Sequence, residues 1–316
     1  MSIAFGPVPS RRLGRSLGIN NIPPKACSYS CLYCQVGPTR ASEAAPRSFY
    51  PAREVVRQVT EAVGELRSKG EPVDYLTFVP DGEPTLDAGL QEEIDLLRPL
   101  GIPIAVISNA SLVWRPEVAR ALNTADWVSV KVDAVEERVW RRINRPHRAL
   151  QLPVVLEAIR RFSAEFGGRL VSETMLVTGI NDGEEEVEAT TRFLAEAGIN
   201  TACLSVPIRP PTVTRAVPPA AAVVNRAYQI MAGRVGRVEL LTTPEDDTFA
   251  SSGDPGDGIL AICAVHPMRA SAVGALLEGA GAPWSTVERL VSEGLLQEVL
   301  YQGERFYLRT LGNRLG

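Results

Sequence analysis

The strongest constraint on the fold is a rhythm. From residue 73 to residue 232, short apolar, β-branched runs alternate with segments whose apolar residues recur at helical spacing. The strand-like runs are VDYLTFVP (73–80), IPIAVISN (102–109), WVSVKVDA (127–134), RLVSETMLV (169–177) and NTACLSVPI (200–208). Between and after them come helical patterns at 86–100, 115–123, 153–166, 184–198 and 220–232. Apolar strands regularly separated by helices belong to a parallel sheet covered by those helices. With a first strand near LGINNI (17–22), the count is about six βα units. The prediction for residues 1–243 is therefore an α/β fold, a partial (β/α)6 TIM-like barrel.

Residues 244–258, PEDDTFASSGDPGDG, are acidic and rich in Gly, Ser and Pro, and read as a linker. Residues 259–316 change pattern: ILAICAVH and ASAVGALLEGAG read as helices, and Ser285 is placed to cap a third, TVERLVSEG. LLQEVLYQGERFYLRTL then reads as two strands about a Gln-Gly turn. Three short helices and a hairpin predict a small winged-helix-like C-terminal domain.

Composition is that of a globular chain, 45% hydrophobic and 22% charged. No apolar run approaches the roughly 20 residues that span a bilayer. The segment MSIAFGPVPSRRLGRS lacks the order of a secretory signal, so the expected location is cytoplasmic, with no membrane partner. The net charge of −4 gives no global attraction to nucleic acid. Its distribution is uneven. Residues 1–50 hold Arg11, Arg12, Arg15, Lys25, Arg40 and Arg47 against the single acid Glu43, and a second basic knot comprises Arg138, Arg141, Arg142, Arg145 and Arg148. Each set reads either as a solvated face or as a receiver of an anionic substrate, with Arg142 and Arg145 as candidate contacts.

Three of the five cysteines, Cys27, Cys31 and Cys34, fall within eight residues, CSYSCLYC. Such crowding makes a poor disulfide framework and suits metal in a reducing compartment. Iron–sulfur clusters normally take four thiolates, so three would leave one iron of a [4Fe–4S] cube open. A structural zinc site would need a fourth ligand as well. Cys203 and Cys263 sit in apolar contexts and read as core residues, without the spacing of metal ligands.

The strand WVSVKVDA is informative by itself. Val128, Val130 and Val132 share one face, and Ser129, Lys131 and Asp133 share the other. Valines under the outer helices leave the polar three pointing into the barrel, where they face a ligand or pair with each other. Glu173 is a similar polar break in its strand, within reach of ribose or substrate. Arg209, in VPIRPP, stands at the mouth as an anchor for a substrate anion.

The C-x3-C-x2-C spacing, with Tyr33 before the last cysteine, resembles the signature of the radical S-adenosylmethionine (SAM) superfamily. The loop follows a candidate first strand, where that superfamily carries its cluster. DGEP (81–84) is similar to the superfamily's Gly-Gly-Glu element, which receives the methionine amino group; Gly82 and Glu83 match, while Asp81 replaces the first glycine. ISNAS (107–111) resembles a Thr-Asn-Gly turn that makes Ser108 and Asn109 candidate SAM contacts. The resemblance covers roughly residues 10–243. The phrases GPVPSRRLGRSLGIN, KVDA, INRPH, LLTTPEDDTFAS and AVHPMR resemble an Fe–S oxidoreductase subgroup near the wyosine-forming tRNA enzymes, whose substrate is not established. No second cysteine group for an auxiliary cluster is present, so the tRNA assignment does not transfer.

The resemblance implies a radical SAM enzyme. Cys27, Cys31 and Cys34 would hold a [4Fe–4S] cluster, and reductive cleavage of SAM would give a 5′-deoxyadenosyl radical that abstracts hydrogen from the substrate. Tyr33 would lie near adenine, Glu83 would hold the amino group, and Lys131, Asp133 and Glu173 would line the cofactor site. A one-electron donor such as flavodoxin or ferredoxin is implied. The substrate class stays open among a small molecule, a nucleotide or RNA, and a peptide, with an anion favoured by the basic clusters. The rival reading is a metal-sensing or nucleic-acid-binding regulator that reads through the C-terminal domain. Against it, residues 254–316 hold seven acids and five arginines, the wrong balance for a duplex-binding wing.

Overall fold

The computed structural model describes residues 3–39, 41–243, 246–251 and 253–310. Arg40 of the basic N-terminal set, Pro244, Glu245 and Ser252 of the expected linker, and the last six residues of the expected C-terminal domain lie outside that description.

The chain opens with an antiparallel pair, β1 (Ala4–Ser10) and β2 (Gly14–Ile19), followed by two short strands that pair with each other, β3 (Ala26–Cys27) and β4 (Ala41–Ser42). Then come α1 (Ala52–Ser68), β5 (Tyr75–Phe78), α2 (Leu90–Leu97), β6 (Ile104–Ser108), α3 (Pro116–Asn123) and β7 (Trp127–Lys131). After α4 (Glu137–Ile143) and α5 (Leu152–Glu165) follow β8 (Arg169–Met175), α6 (Glu184–Glu196), β9 (Thr201–Ser205), α7 (Ala221–Ala232) and β10 (Arg237–Leu241). One sheet runs in the order β1-β2-β5-β6-β7-β8-β9-β10, parallel throughout from β2 onward. Among the described residues there are six βα units, as the rhythm predicts, and β10 adds a further parallel strand. Among the described residues no helix is long and apolar enough to cross a membrane.

Several boundaries differ from the sequence expectation for local reasons. The helix expected over 86–100 is shorter, because the Asp87 carboxylate accepts from the Gly89 amide at 2.9 Å and delays the helix to Leu90. Pro99 then turns its end into a 3-10 turn. The last part of the expected linker is helical: α8 (Pro255–Val265) starts with proline in its first turn and the Asp254 side chain accepting from the Asp257 amide at 3.0 Å. Ser285 does not cap its helix; it is the first residue of α10 (Ser285–Ser292) and no side chain caps that end.

The sheet has two chemically different faces. Outward residues such as Leu17, Phe78, Val106, Val128, Val130 and Leu204 join the helices in the main core. Facing inward, Ala105, Trp127, Val171, Cys203 and Leu241 fill the lower barrel with Leu13. Above that plug the inward positions turn polar, with the Ser16 and Thr77 hydroxyls 2.6 Å apart.

The C-terminal unit comprises α8, β11 (Met268–Arg269), α9 (Ala270–Gly279), α10, β12 (Leu296–Tyr301) and β13 (Glu304–Arg309), with strand order β11-β13-β12. The Gln-Gly turn forms as expected, with Gln302 and Gly303 at φ 51° and 82°. This unit is docked on the barrel: Phe5 of β1 belongs to its apolar core, and Tyr301 donates to the Pro207 carbonyl at 3.1 Å.

Candidate active site

Cys27, Cys31 and Cys34 lie half-buried on the loop after β2. The other wall of that loop comes from far along the chain, the turn after α4. Ser30 N donates to the Asn144 carbonyl at 3.0 Å, Leu32 N to Ile143 at 2.9 Å, and His147 N to Ser28 at 2.8 Å. The third wall is the turn after β5. Glu83 N donates to the Ala26 carbonyl at 3.0 Å, and a Cβ on Gly82 would stand 1.9 Å from that same oxygen. Gly82 is therefore glycine because backbone packs on backbone beside Cys27.

Each sulfur has its own nitrogen donor. Asn109 Nδ2 lies 3.6 Å from Cys27 Sγ, Asn144 Nδ2 lies 3.5 Å from Cys31 Sγ, and Lys25 Nζ lies 3.5 Å from Cys34 Sγ. Burial, reinforced by the Asp133 carboxylate, pushes the Cys31 thiol up to about 12, and burial with Glu83 nearby pushes Cys27 up as well. Such thiols keep their protons at neutral pH until a cation displaces them. Among the described residues no three Cys, His, Asp or Glu side chains converge on the position of a single ion. Three thiols, each with its own N–H donor, fit a cluster, which disperses its ligands over several irons.

Two groups of the expected cofactor residues flank the loop. On the Cys27 side, Glu83 is buried and accepts from Thr85 N (3.1 Å), Thr85 Oγ1 (2.6 Å) and Ser108 Oγ (2.7 Å) through Oε1, and from Asn109 N (2.7 Å) through Oε2. Glu83, Ser108 and Asn109 thus come together as the sequence suggested, and Oε2 keeps one acceptor position. Burial pushes this carboxyl up, and its donors partly oppose the shift.

On the other side, Tyr33 donates its hydroxyl to Asp133, whose carboxylate also accepts from Asn144 Nδ2 at 2.6 Å and Met175 N at 2.8 Å. Lys131 lies over the Tyr33 ring and pairs with Glu173 at 2.9 Å, closer than its 3.9 Å approach to Asp133. Glu173 is shared: Arg12, in the β1–β2 turn, crosses the interior to it at 2.7 Å. Burial alone would raise Glu173, yet Lys131 and Arg12 together hold it well below the usual carboxylate range.

Arg12, Tyr33, Lys131 and Glu173, but not Asp133, border a cavity of about 330 Å3 that also reaches Cys34 and is roofed by Val265 and His266 of the C-terminal unit. Arg209 borders it too, but its guanidinium is engaged as a bridge, 3.3 Å from Gln35 Oε1 and 2.9 Å from His266 Nε2. Burial, then the charges of Arg209 and Arg269, push the His266 pKa down, and Arg209, which carries donors only, donates to its ring nitrogen. Arg142 and Arg145 are exposed and do not border the cavity; the Arg145 carbonyl accepts from Ser30 N at 3.2 Å instead. The N-terminal basic set is likewise redistributed. Arg12 and Lys25 act inside, Arg15 pairs with Glu71, and Arg47 pairs with Glu43 at 2.9 Å. In the sequence Arg12 and Lys25 are only charges in a run, and Asn144 is only one residue of INRPH. No residue-level signal singled these three out.

The family model of the radical SAM superfamily matches residues 21–194, more than half of the chain. A UPF0026 protein of Methanocaldococcus jannaschii is 43% identical over 316 residues, covering 99% of this chain and 98% of the relative. A radical SAM methyltransferase from Sphaerobacter thermophilus superposes with TM-score 0.53 at 20% identity, over 74% of this chain and 68% of that one. The structure of TYW1 with a lysine–pyruvate adduct bound gives TM-score 0.53 at 16% identity, over 70% and 74%. At these identities the solved structures speak to the fold.

Proposed function

Because this chain belongs to the radical SAM superfamily, we propose that it abstracts hydrogen from a small anionic substrate held in the cavity beside Cys34. Membership makes it an enzyme that uses a [4Fe–4S] cluster and SAM, with reducing electrons from a one-electron donor. When bound, that pair supplies the radical chemistry. In this reading Cys27, Cys31 and Cys34 hold the cluster, while Glu83 Oε2 and the Ser108–Asn109 turn receive the methionine end of SAM. Lys131, Asp133 and Tyr33 shape the adjoining wall.

The observation that carries the substrate class is the cavity's charge. Among the described residues Arg12 and Lys131 border it together with one carboxylate, that of Glu173, with which both of them pair. Two cations sharing one carboxylate leave a net positive charge at the cavity wall, which favours a carboxylate or phosphate. The volume and the roof of Val265 and His266 suit a small molecule better than a folded polymer. In this reading the C-terminal unit is a winged-helix-like domain that serves as that roof.

The test is anaerobic reconstitution with iron and sulfide. The protein is expected to show a [4Fe–4S] spectrum and to cleave SAM under reduction, and Cys27→Ala is expected to lose both. A wild-type protein that forms no such cluster would sink the proposal. Deuterium transfer from labelled phosphorylated or carboxylated metabolites into 5′-deoxyadenosine would then identify the substrate. Transfer from RNA or peptide alone would overturn the small-molecule assignment.

A further inference from the structure

We propose that Lys25 is a positioning residue that sets the reduction potential of the cluster, by holding a buried positive charge against the Cys34 sulfur. This rests on the reading that Cys27, Cys31 and Cys34 carry a [4Fe–4S] cluster.

Three observations converge on Lys25. First, the donors to the three sulfurs are unequal: Asn109 and Asn144 offer neutral amides, whereas Lys25 offers an ammonium at 3.5 Å. Second, Lys25 is only 2% exposed, and an ion that deep is strongly disfavoured unless something negative receives it. Its neighbour Asp81 is an incomplete answer, because it lies within electrostatic range while one carboxylate oxygen has no hydrogen-bond partner among the described residues. Third, the Lys25 backbone sits at φ 65°, a conformation that asparagine or glycine adopts more easily, and is pinned there by its amide donating to the Asp81 carbonyl at 3.1 Å. A lysine kept at a strained and desolvated position is accounted for by its charge.

The physics gives a direction. Reduction adds one electron, from the one-electron donor, to a group already carrying negative thiolates; no bond is made or broken. A fixed cation beside one thiolate stabilises the reduced state more than the oxidised one and raises the potential. Charge and hydrogen bonds at the sulfurs are established determinants of cluster potential. Asp81, the residue standing where the family motif has its first glycine, opposes that effect as a carboxylate within electrostatic range of Lys25.

The experiment is a dye-mediated redox titration of the reconstituted protein, followed by the electron paramagnetic resonance signal of the reduced cluster. Lys25→Met, which keeps length and removes charge, is expected to lower the reduced-to-oxidised ratio at fixed potential by about tenfold, a shift of about 59 mV to the negative side. Lys25→Arg is expected to stay nearer wild type. Asp81→Asn, measured at pH 8, is expected to shift the potential positively. A Lys25→Met protein with full iron and sulfide content and an unchanged potential overturns the proposal. Should that variant fail to load, Asp81→Asn decides: a positive shift supports the charge pair, and no shift overturns it. Absence of any cluster in the wild type would instead defeat the underlying reading, a separately visible result.

Discussion

Asn144 donates its amide to Asp133 at 2.6 Å while the same nitrogen stands 3.5 Å from the sulfur of Cys31. One side chain after α4 thus couples a carboxylate at the end of β7 to a thiol on the loop after β2. Asn144→Ala would leave Asp133 short of a buried donor, a cost of about 1–3 kcal/mol. The expected result is a lower midpoint in denaturant and faster loss of iron to a chelator. An iron-release rate equal to wild type would contradict the coupling.

Gly82→Ala tests the contact between the two turns. Its methyl group would meet the Ala26 carbonyl and, at 2.7 Å, Ile22 Cδ1. Backbone cannot move aside as a side-chain tip can, so overpacking of about 1–3 kcal/mol falls on the cysteine loop itself. The variant is expected to keep its helical circular dichroism and to bind less iron per chain. Normal iron content would show that the turn yields.

Glu173 joins two half-buried cations, Arg12 and Lys131. Removing the carboxylate leaves Arg12 uncompensated and Lys131 with only its 3.9 Å approach to Asp133, and breaking a buried pair costs about 3–5 kcal/mol. Glu173→Gln is expected to destabilise by that order in equilibrium unfolding. The double variant Glu173→Gln, Lys131→Met should recover part of the loss. No recovery would mean that the pair is not the source.

A pH dependence arises away from the cavity. Glu93 is buried beside Asp87, and burial followed by the repulsion of Asp87 drives its pKa upward. The folded state therefore holds a proton that the unfolded chain releases near 4.5, so stability from this site is complete below that value and declines as pH rises through neutrality. Glu93→Gln should remove the decline. Its melting temperature is expected to gain on wild type from pH 5 to pH 8, and a constant difference would refute the shared-proton arrangement.

What was legible in the sequence follows from periodicity. The strands of the six βα units, and the inward set Lys131, Asp133 and Glu173, could be read because alternate residues in a strand face opposite sides. The Cys27, Glu83 and Asn109 grouping was legible through the resemblance. Arg12 and Lys25 were not, because a basic residue in a polar stretch looks the same whether it is solvated or crosses a barrel. β1 was hidden by Pro7 and Pro9, which a central strand would exclude and an edge strand accepts. Asn144 became visible only when the chain folded back on the loop.

That folding back has a temporal consequence. The cysteine loop borrows backbone partners from Ile143, Asn144 and His147, more than a hundred residues downstream. A ribosome that has released only the first hundred residues displays all three thiols with one wall of their enclosure still unsynthesised. Iron delivered at that moment meets an open, oxidisable loop. Maturation of the centre therefore belongs after translation has passed the fourth helix, when the enclosure can close around what it receives.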